Sequence, residues 1–221
     1  MAITAAMRTE VTKLYVALFG RAPDSDGLGY WVSQVDGGKT VAQVAQDMYN
    51  TTPARTTYPL YLTNTEIVTA FYTNVLGRTP DTDGAAYWAT QLGTKTAGQV
   101  ISDMITAVTA YTGTDSAATT SKTLFANKAA VAEYYAVTLA GGATNAAAAI
   151  SGVTATTDVS TNAAMAAAIS GAGVSTSTGT TYTLTTGIDT VLGSTNNDTI
   201  VALVTTAGDT AGTMSVADQI D

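Results

Sequence analysis

Apolar residues recur at helical spacing from early in the chain. Val11, Leu14, Tyr15, Leu18 and Phe19 fall at i, i+3, i+4, i+7 and i+8, and Val68, Phe71, Tyr72, Val75 and Leu76 repeat the pattern. Each stripe predicts a helix with one face turned to a core. Gly20 and Gly77 follow where a helix C-terminus takes a left-handed residue, and Pro23 and Pro80 come three residues later, where the helix cannot continue. A third stripe, Val41, Val44, Ala45 and Met48, returns as Ala97, Val100, Ile101 and Met104. Each stretch therefore reads as helix, turn, helix, turn, helix.

The two stretches are copies. Gly20, Arg21, Pro23, Asp24, Asp26, Gly27, Tyr30, Trp31 and Gln34 recur at Gly77, Arg78, Pro80, Asp81, Asp83, Gly84, Tyr87, Trp88 and Gln91, a constant offset of 77 − 20 = 57. A one-residue deletion then reduces the offset to 56 and carries Lys39, Thr40, Gln43, Asp47 and Met48 onto Lys95, Thr96, Gln99, Asp103 and Met104. The deletion marks a loop. Residues 1–112 thus form a duplicated helical repeat, with copies at about 11–52 and 68–108.

Beyond Thr112, TGTDSAATTS reads as a connector, followed by Ala-rich helices to residue 173 that end at Gly141-Gly142 and near Gly173. From 174 to 221 the period changes to that of strands, and Thr-rich, β-branched stretches broken by Gly, Asn and Asp predict strands joined by tight turns. The fold class is mainly α: a duplicated helical-bundle repeat with Ala-rich helices, then a short β region that begins a β-roll or β-sandwich type of segment. That segment is too short to bury a core of its own, so the natural protein is expected to continue past Asp221.

Composition narrows the chemistry. Cysteine and histidine are absent, which removes disulfides, the usual zinc sites, thiol nucleophiles and every histidine-based triad. With 17 acidic and 9 basic residues, a net charge of −8 and no Lys/Arg cluster, the sequence gives no footprint for nucleic acid. No stretch is long and apolar enough for a transmembrane segment, and the first residues lack the apolar run of a signal peptide.

The PDxDG loops carry the candidate sites. Asp24, Asp26, Asp81 and Asp83 have the oxygen chemistry of calcium ligands, with Gly27 and Gly84 permitting a sharp turn. On the other reading the first Asp of each pair braces the turn and the second caps the following helix. Arg21 and Arg78 stand beside these carboxylates and can form a bidentate ion pair. Alternatively, Arg21 with Tyr30 and Trp31, and Arg78 with Tyr87 and Trp88, combine a donor with an aromatic plate, the equipment that binds polysaccharide. The bland reading makes the Tyr-Trp pairs core anchors with a polar handle. In the β region Asp189, Asn197, Asp198, Asp209, Asp218 and Asp221 suggest the lead-in to Asp/Gly-rich calcium-binding turns. Paired acids without an accompanying base, nucleophile or oxyanion donor argue against an enzyme.

FGRAPDSDGLGYW and LGRTPDTDGAAYW, with the following GGKTVAQVAQDM, resemble an uncharacterised helical repeat of large bacterial exoproteins that is distantly similar to phycobilisome linker domains. NKAAVAEYYAVTLAGG is similar to the helix that follows it there. YTLTTGIDTVLGSTNNDTIVA resembles the opening of the β region in Gram-negative surface-layer (S-layer) proteins of the repeats-in-toxin class. The resemblance implies type I secretion, a bacterial cell-surface location, a Ca²⁺-dependent self-assembling lattice, and a helical N-terminal domain anchored to outer-membrane lipopolysaccharide through its O-polysaccharide. It carries over no sugar-binding residue at a matching position. A secreted adhesin or filament subunit that self-associates through its helical repeats is the alternative, and an intracellular linker scaffold a third.

Overall fold

The structure is a computed structural model that describes residues 3–174, 176, 181–185, 190–191, 199–201 and 219–220. It divides into two compact units, residues 1–174 and 175–221. The first is helical. Repeat 1 contains α1 (Ala5–Phe19), α2 (Ser25–Asp36) and α3 (Val41–Tyr49), and repeat 2 contains α4 (Asn64–Leu76), α5 (Thr82–Gln91) and α6 (Ala97–Ala110). A 3₁₀ helix, Thr52–Thr56, follows α3, and the chain continues through α7 (Ser116–Val137), α8 (Ala148–Ser151) and α9 (Asn162–Gly171).

The helix ends follow the repeated residues. Gly20 and Gly77 close α1 and α4 in the left-handed conformation, at φ 63° and 68°. Thr40 and Thr96 start α3 and α6 with reciprocal capping boxes to Gln43 and Gln99, satisfying amides that the helix itself leaves open. Lys39 reaches Asp47 at 2.9 Å and Lys95 reaches Asp103 at 2.7 Å, so four of the duplicated polar residues have one shared task. Both pairs are exposed and contribute little energy.

The expected connector is partly helix. Asp115 accepts from Ala118 N–H at 2.7 Å and starts α7 eight residues before Leu124. A cap outweighs the weak helix propensity of the Thr/Ser run behind it. The long α7 then packs on both α1 and α4. Its buried Ser121 donates to Leu76 O at 2.9 Å. Buried Asn127 donates to the carbonyls of Thr154, Ala155 and Thr157 at 3.0–3.3 Å, fixing the segment after α8.

One core runs through this unit, from Val11, Leu14 and Leu18 of α1 to Phe71 and Val75 of α4, Ile101 and Met104 of α6, and Phe125 and Val131 of α7. Tyr58, fully buried, donates to Ala17 O at 2.9 Å. The repeats meet through α3 and α6, where Gly98 N–H donates to Gln46 Oε1 at 2.8 Å. Its missing Cβ lets the backbones approach.

In the second unit β1 (Thr181–Thr183) pairs with β3 (Thr199–Val201), and β2 (Thr190–Val191) with β4 (Gln219–Ile220). Both ladders are parallel, with Tyr182 opposite Ile200. Neither pair is therefore a hairpin, because parallel partners need a crossover; the turns expected between consecutive strands lie largely outside the described residues. Asp189, Asn197, Asp198, Asp209, Asp218 and Asp221, the residues of the calcium expectation, lie outside the described residues.

Candidate functional site

The first Asp of each loop is the cap, and the second is not. Asp24 accepts from Gly27 N–H at 2.9 Å and Asp81 from Gly84 N–H at 2.8 Å, while Asp26 and Asp83 sit in the first turns of α2 and α5. This reverses the expected division of labour. The cap must lie three residues before the amide it serves, and Gly27 and Gly84 are fixed by another contact. A Cβ on Gly27 would collide with the Tyr15 hydroxyl, and one on Gly84 would lie 3.1 Å from that of Tyr72. These glycines make room for a tyrosine rather than permit a sharp turn.

The arginines pair with the same carboxylates, though not in bidentate fashion. Arg21 Nη1 donates to Asp24 Oδ2 at 3.2 Å and to Ala22 O at 3.1 Å, and its guanidinium stands 5.3 Å from the Tyr15 ring centre. Burial opposes ionisation of Asp24, but hydrogen bonds from Gly27 N–H and Arg21, with the nearby guanidinium charge, hold its carboxyl below the ordinary range. Burial, reinforced by Asp24, pushes the Tyr15 hydroxyl up to about 12, with Arg21 acting in the opposite sense. Tyr15 is thus a neutral donor and acceptor beneath the loop.

Repeat 2 is looser. Arg78 Nη1 lies 3.8 Å from Asp81 Oδ2, and Asp81 is 65% exposed where Asp24 is 22%. The Arg78 guanidinium stacks 4.9 Å from the Tyr72 ring centre, and its buried Nε has no hydrogen-bond partner among the described residues. Beside it opens a cleft of about 560 Å³. Arg78, Asp81, Asp115 and Ser121 supply polar groups, Tyr72, Trp88 and Tyr111 supply rings, and Phe71, Leu76, Met104 and Val108 form the apolar floor.

Only part of the expected aromatic kit enters the cleft. Trp88 lines it, whereas Tyr87, 57% exposed, turns outward like Tyr30 at 58%. Each tyrosine meets its neighbouring tryptophan edge-to-face, with centres 4.9 Å apart. The tryptophans pack partly buried against the core, so the anchor reading holds for Trp31 and Trp88 and fails for the tyrosines. Tyr72, Tyr111, Asp115 and Ser121 complete the cleft without having been offered as site residues in the sequence, where Tyr72 stood only in an apolar stripe; the one further signal was Asp115 two residues ahead of an alanine pair, a capping pattern.

The repeats match a known domain. Residues 6–56 and 45–107 are similar to the domain of unknown function DUF4214, which covers both copies. Searches of curated proteins and of solved structures returned no match. The DUF4214-like repeats hold no calcium-shaped ligand set among the described residues: no group of three carboxylates converges, and both Asp24 oxygens are engaged, one by Gly27 and the other by Arg21. In both loops the first Asp serves as the helix cap. Among the described residues no helix is long and apolar enough to cross a membrane.

Proposed function

We propose that this chain is a non-enzymatic module of a secreted S-layer protein. Its helical region anchors a cell-surface lattice to the O-polysaccharide of outer-membrane lipopolysaccharide. The observation that carries the reading is the repeat-2 cleft. It joins a tryptophan plate at Trp88 to the incompletely bonded guanidinium of Arg78 and the accepting carboxylates of Asp81 and Asp115. Sugar rings present C–H faces to aromatic planes and hydroxyls to such mixed donors and acceptors. Calcium belongs to the proposal through the Asp-rich β region, where it would support lattice assembly.

The test is co-sedimentation of the chain with purified lipopolysaccharide, against the same lipid stripped of polysaccharide. Binding is expected only with the polysaccharide present, reduced at least tenfold by Trp88→Ala and unaffected by Tyr30→Ala. Equal sedimentation with both lipids would refute the anchoring role. A second reading, a self-associating adhesin or filament subunit, draws on Leu60 and Tyr61, each more than 80% exposed between the repeats. Light scattering of the chain with and without Leu60→Ser and Tyr61→Ser tests it.

A further inference from the structure

The two repeats present the same loop in different surroundings. The loops match at both ends: Gly20 and Gly77 leave the preceding helix at φ 63° and 68°, and Asp24 and Asp81 enter the next at ψ 158° and 164°. In repeat 1 another part of the chain uses two loop amides. Ala22 N–H donates to Ala146 O at 2.9 Å, and Ser25 N–H to Gly141 O at 3.2 Å. The covering segment, Gly-Gly-Ala-Thr-Asn-Ala from 141 to 146, has only small or short side chains and docks with backbone carbonyls. The chain reaches it through Ala140 at φ 47°, a left-handed conformation unfavourable for a residue with a Cβ.

In repeat 2 the counterpart amides belong to Thr79 and Thr82. Neither has a protein acceptor among the described residues. Ala22, Leu28 and Val32 are buried in repeat 1; their counterparts Thr79, Ala85 and Ala89 are exposed or half-buried. The loop therefore keeps its two donors, while three apolar side chains that are buried in repeat 1 give way to smaller or polar ones. A contact here rests on hydrogen bonds and is exchangeable.

We propose that the repeat-2 loop docks a short, small-residue peptide segment of a partner protein, folded as a tight turn like the 3₁₀ turn Ala143–Asn145 that sits within the covering segment of repeat 1. The segment presents two backbone carbonyls to the Thr79 and Thr82 amides, as Gly141 and Ala146 do for Ser25 and Ala22 in repeat 1. The partner is recognised by main chain, with residues small enough to let the backbones meet. This goes beyond the sugar reading, since it uses loop amides and not Trp88.

The experiment titrates the full ¹⁵N-labelled chain with a synthetic peptide of residues 138–148, TLAGGATNAAA. The amide signals of Thr79 and Thr82 are expected to move saturably, while those of Ala22 and Ser25 stay in place. Thr82→Pro removes one donor at the first helical position, where proline is tolerated, after an Asp81 that already has the extended conformation proline requires. The affinity should fall about two- to tenfold, the worth of one hydrogen bond, with the remaining spectrum unchanged. Four results would overturn the proposal: no saturable shift; shifts centred on Ala22 and Ser25; unchanged affinity in Thr82→Pro; or concentration-dependent shifts of Thr79 and Thr82 without peptide, which would make the occupant a second copy of the chain.

Discussion

Replacing Gly98 by alanine sets two effects of opposite sign against each other. In an open helix the change is favourable by up to about 1 kcal/mol, because alanine has the higher helix propensity and the lower backbone entropy to lose. At this position a Cβ would enter the Gln46 backbone and lie 2.6 Å from the Ala45 carbonyl carbon, against an ordinary carbon contact of about 3.5–4 Å. Helices α3 and α6 must therefore part by roughly 1 Å. Overpacking of this kind costs about 1–3 kcal/mol, and the Gly98 N–H to Gln46 Oε1 bond, now 2.8 Å, weakens by up to about 1 kcal/mol. Sterics win, by roughly 1–3 kcal/mol, which lowers Tm by about 3–10 °C for a helical unit of this size. Gly29→Ala is the internal control: that site is helical, exposed and has no atom within 4 Å of a built Cβ, so its Tm should rise by about 2–4 °C. Calorimetry of both variants decides the matter. If Gly98→Ala melts at or above the parent while Gly29→Ala rises as expected, the close approach of the repeats is wrong.

Other predictions follow from single contacts. Tyr58→Phe should lower the urea-derived stability by about 1–2 kcal/mol, since it strands a buried carbonyl at Ala17; an unchanged midpoint refutes the bond. Asn127→Leu, which deprives three carbonyls of their donor, should cost about 2 kcal/mol, read in the same assay. Loss of the cap in Asp24→Ala should cost about 1 kcal/mol or more, and Asp81→Ala less, its ion pair being longer and more exposed. The Asp24 carboxyl is held below its ordinary range when folded, so its stabilisation is present above the unfolded carboxylate value near 4 and is lost as pH falls through the lower folded value. Parent and Asp24→Asn unfolded in urea at about pH 6 and pH 3 should differ accordingly, with the parent losing more stability on acidification; parallel losses would remove Asp24 from the acid response.

Much of the helical architecture was legible because local rules decided it. Glycine stops, capping boxes and the 3.6-residue stripes depend on neighbours within a turn or two. The outward tyrosines were readable by the same means: Leu28, Trp31, Val32 and Val35 form the inward stripe of α2, which leaves Tyr30 on the far side. Choosing between Asp24 and Asp26 as cap was harder, since both lie within reach of a helix start. The choice turned on Tyr15, nine residues upstream of Asp24, whose hydroxyl admits only glycine at 27. The start of α7 was hidden by a Thr/Ser composition that linkers share. The cleft was not legible at all, because it exists only where the first turns of α7 lie beside α4 and α6.

Duplication sets one motif in two different surroundings. The two loops have the same caps, the same tyrosine beneath and the same arginine beside them, so their differences come from what the rest of the chain lays over them and from the replacement of Ala22, Leu28 and Val32 by Thr79, Ala85 and Ala89. Repeat 1 faces residues 141–146, and its arginine, carboxylate and two loop amides are spent on protein contacts. Repeat 2 faces the first turns of α7, which leave a cleft, a guanidinium nitrogen without a partner and two amides without acceptors. The Arg78 nitrogen is buried, whereas the two amides belong to exposed residues that a ligand can reach. Repeat 1 gives up nothing to binding, and its copy holds the same chemistry unspent. The asymmetry between the two copies of the motif, more than any residue shared by them, is therefore what singles out repeat 2 for the proposed contacts.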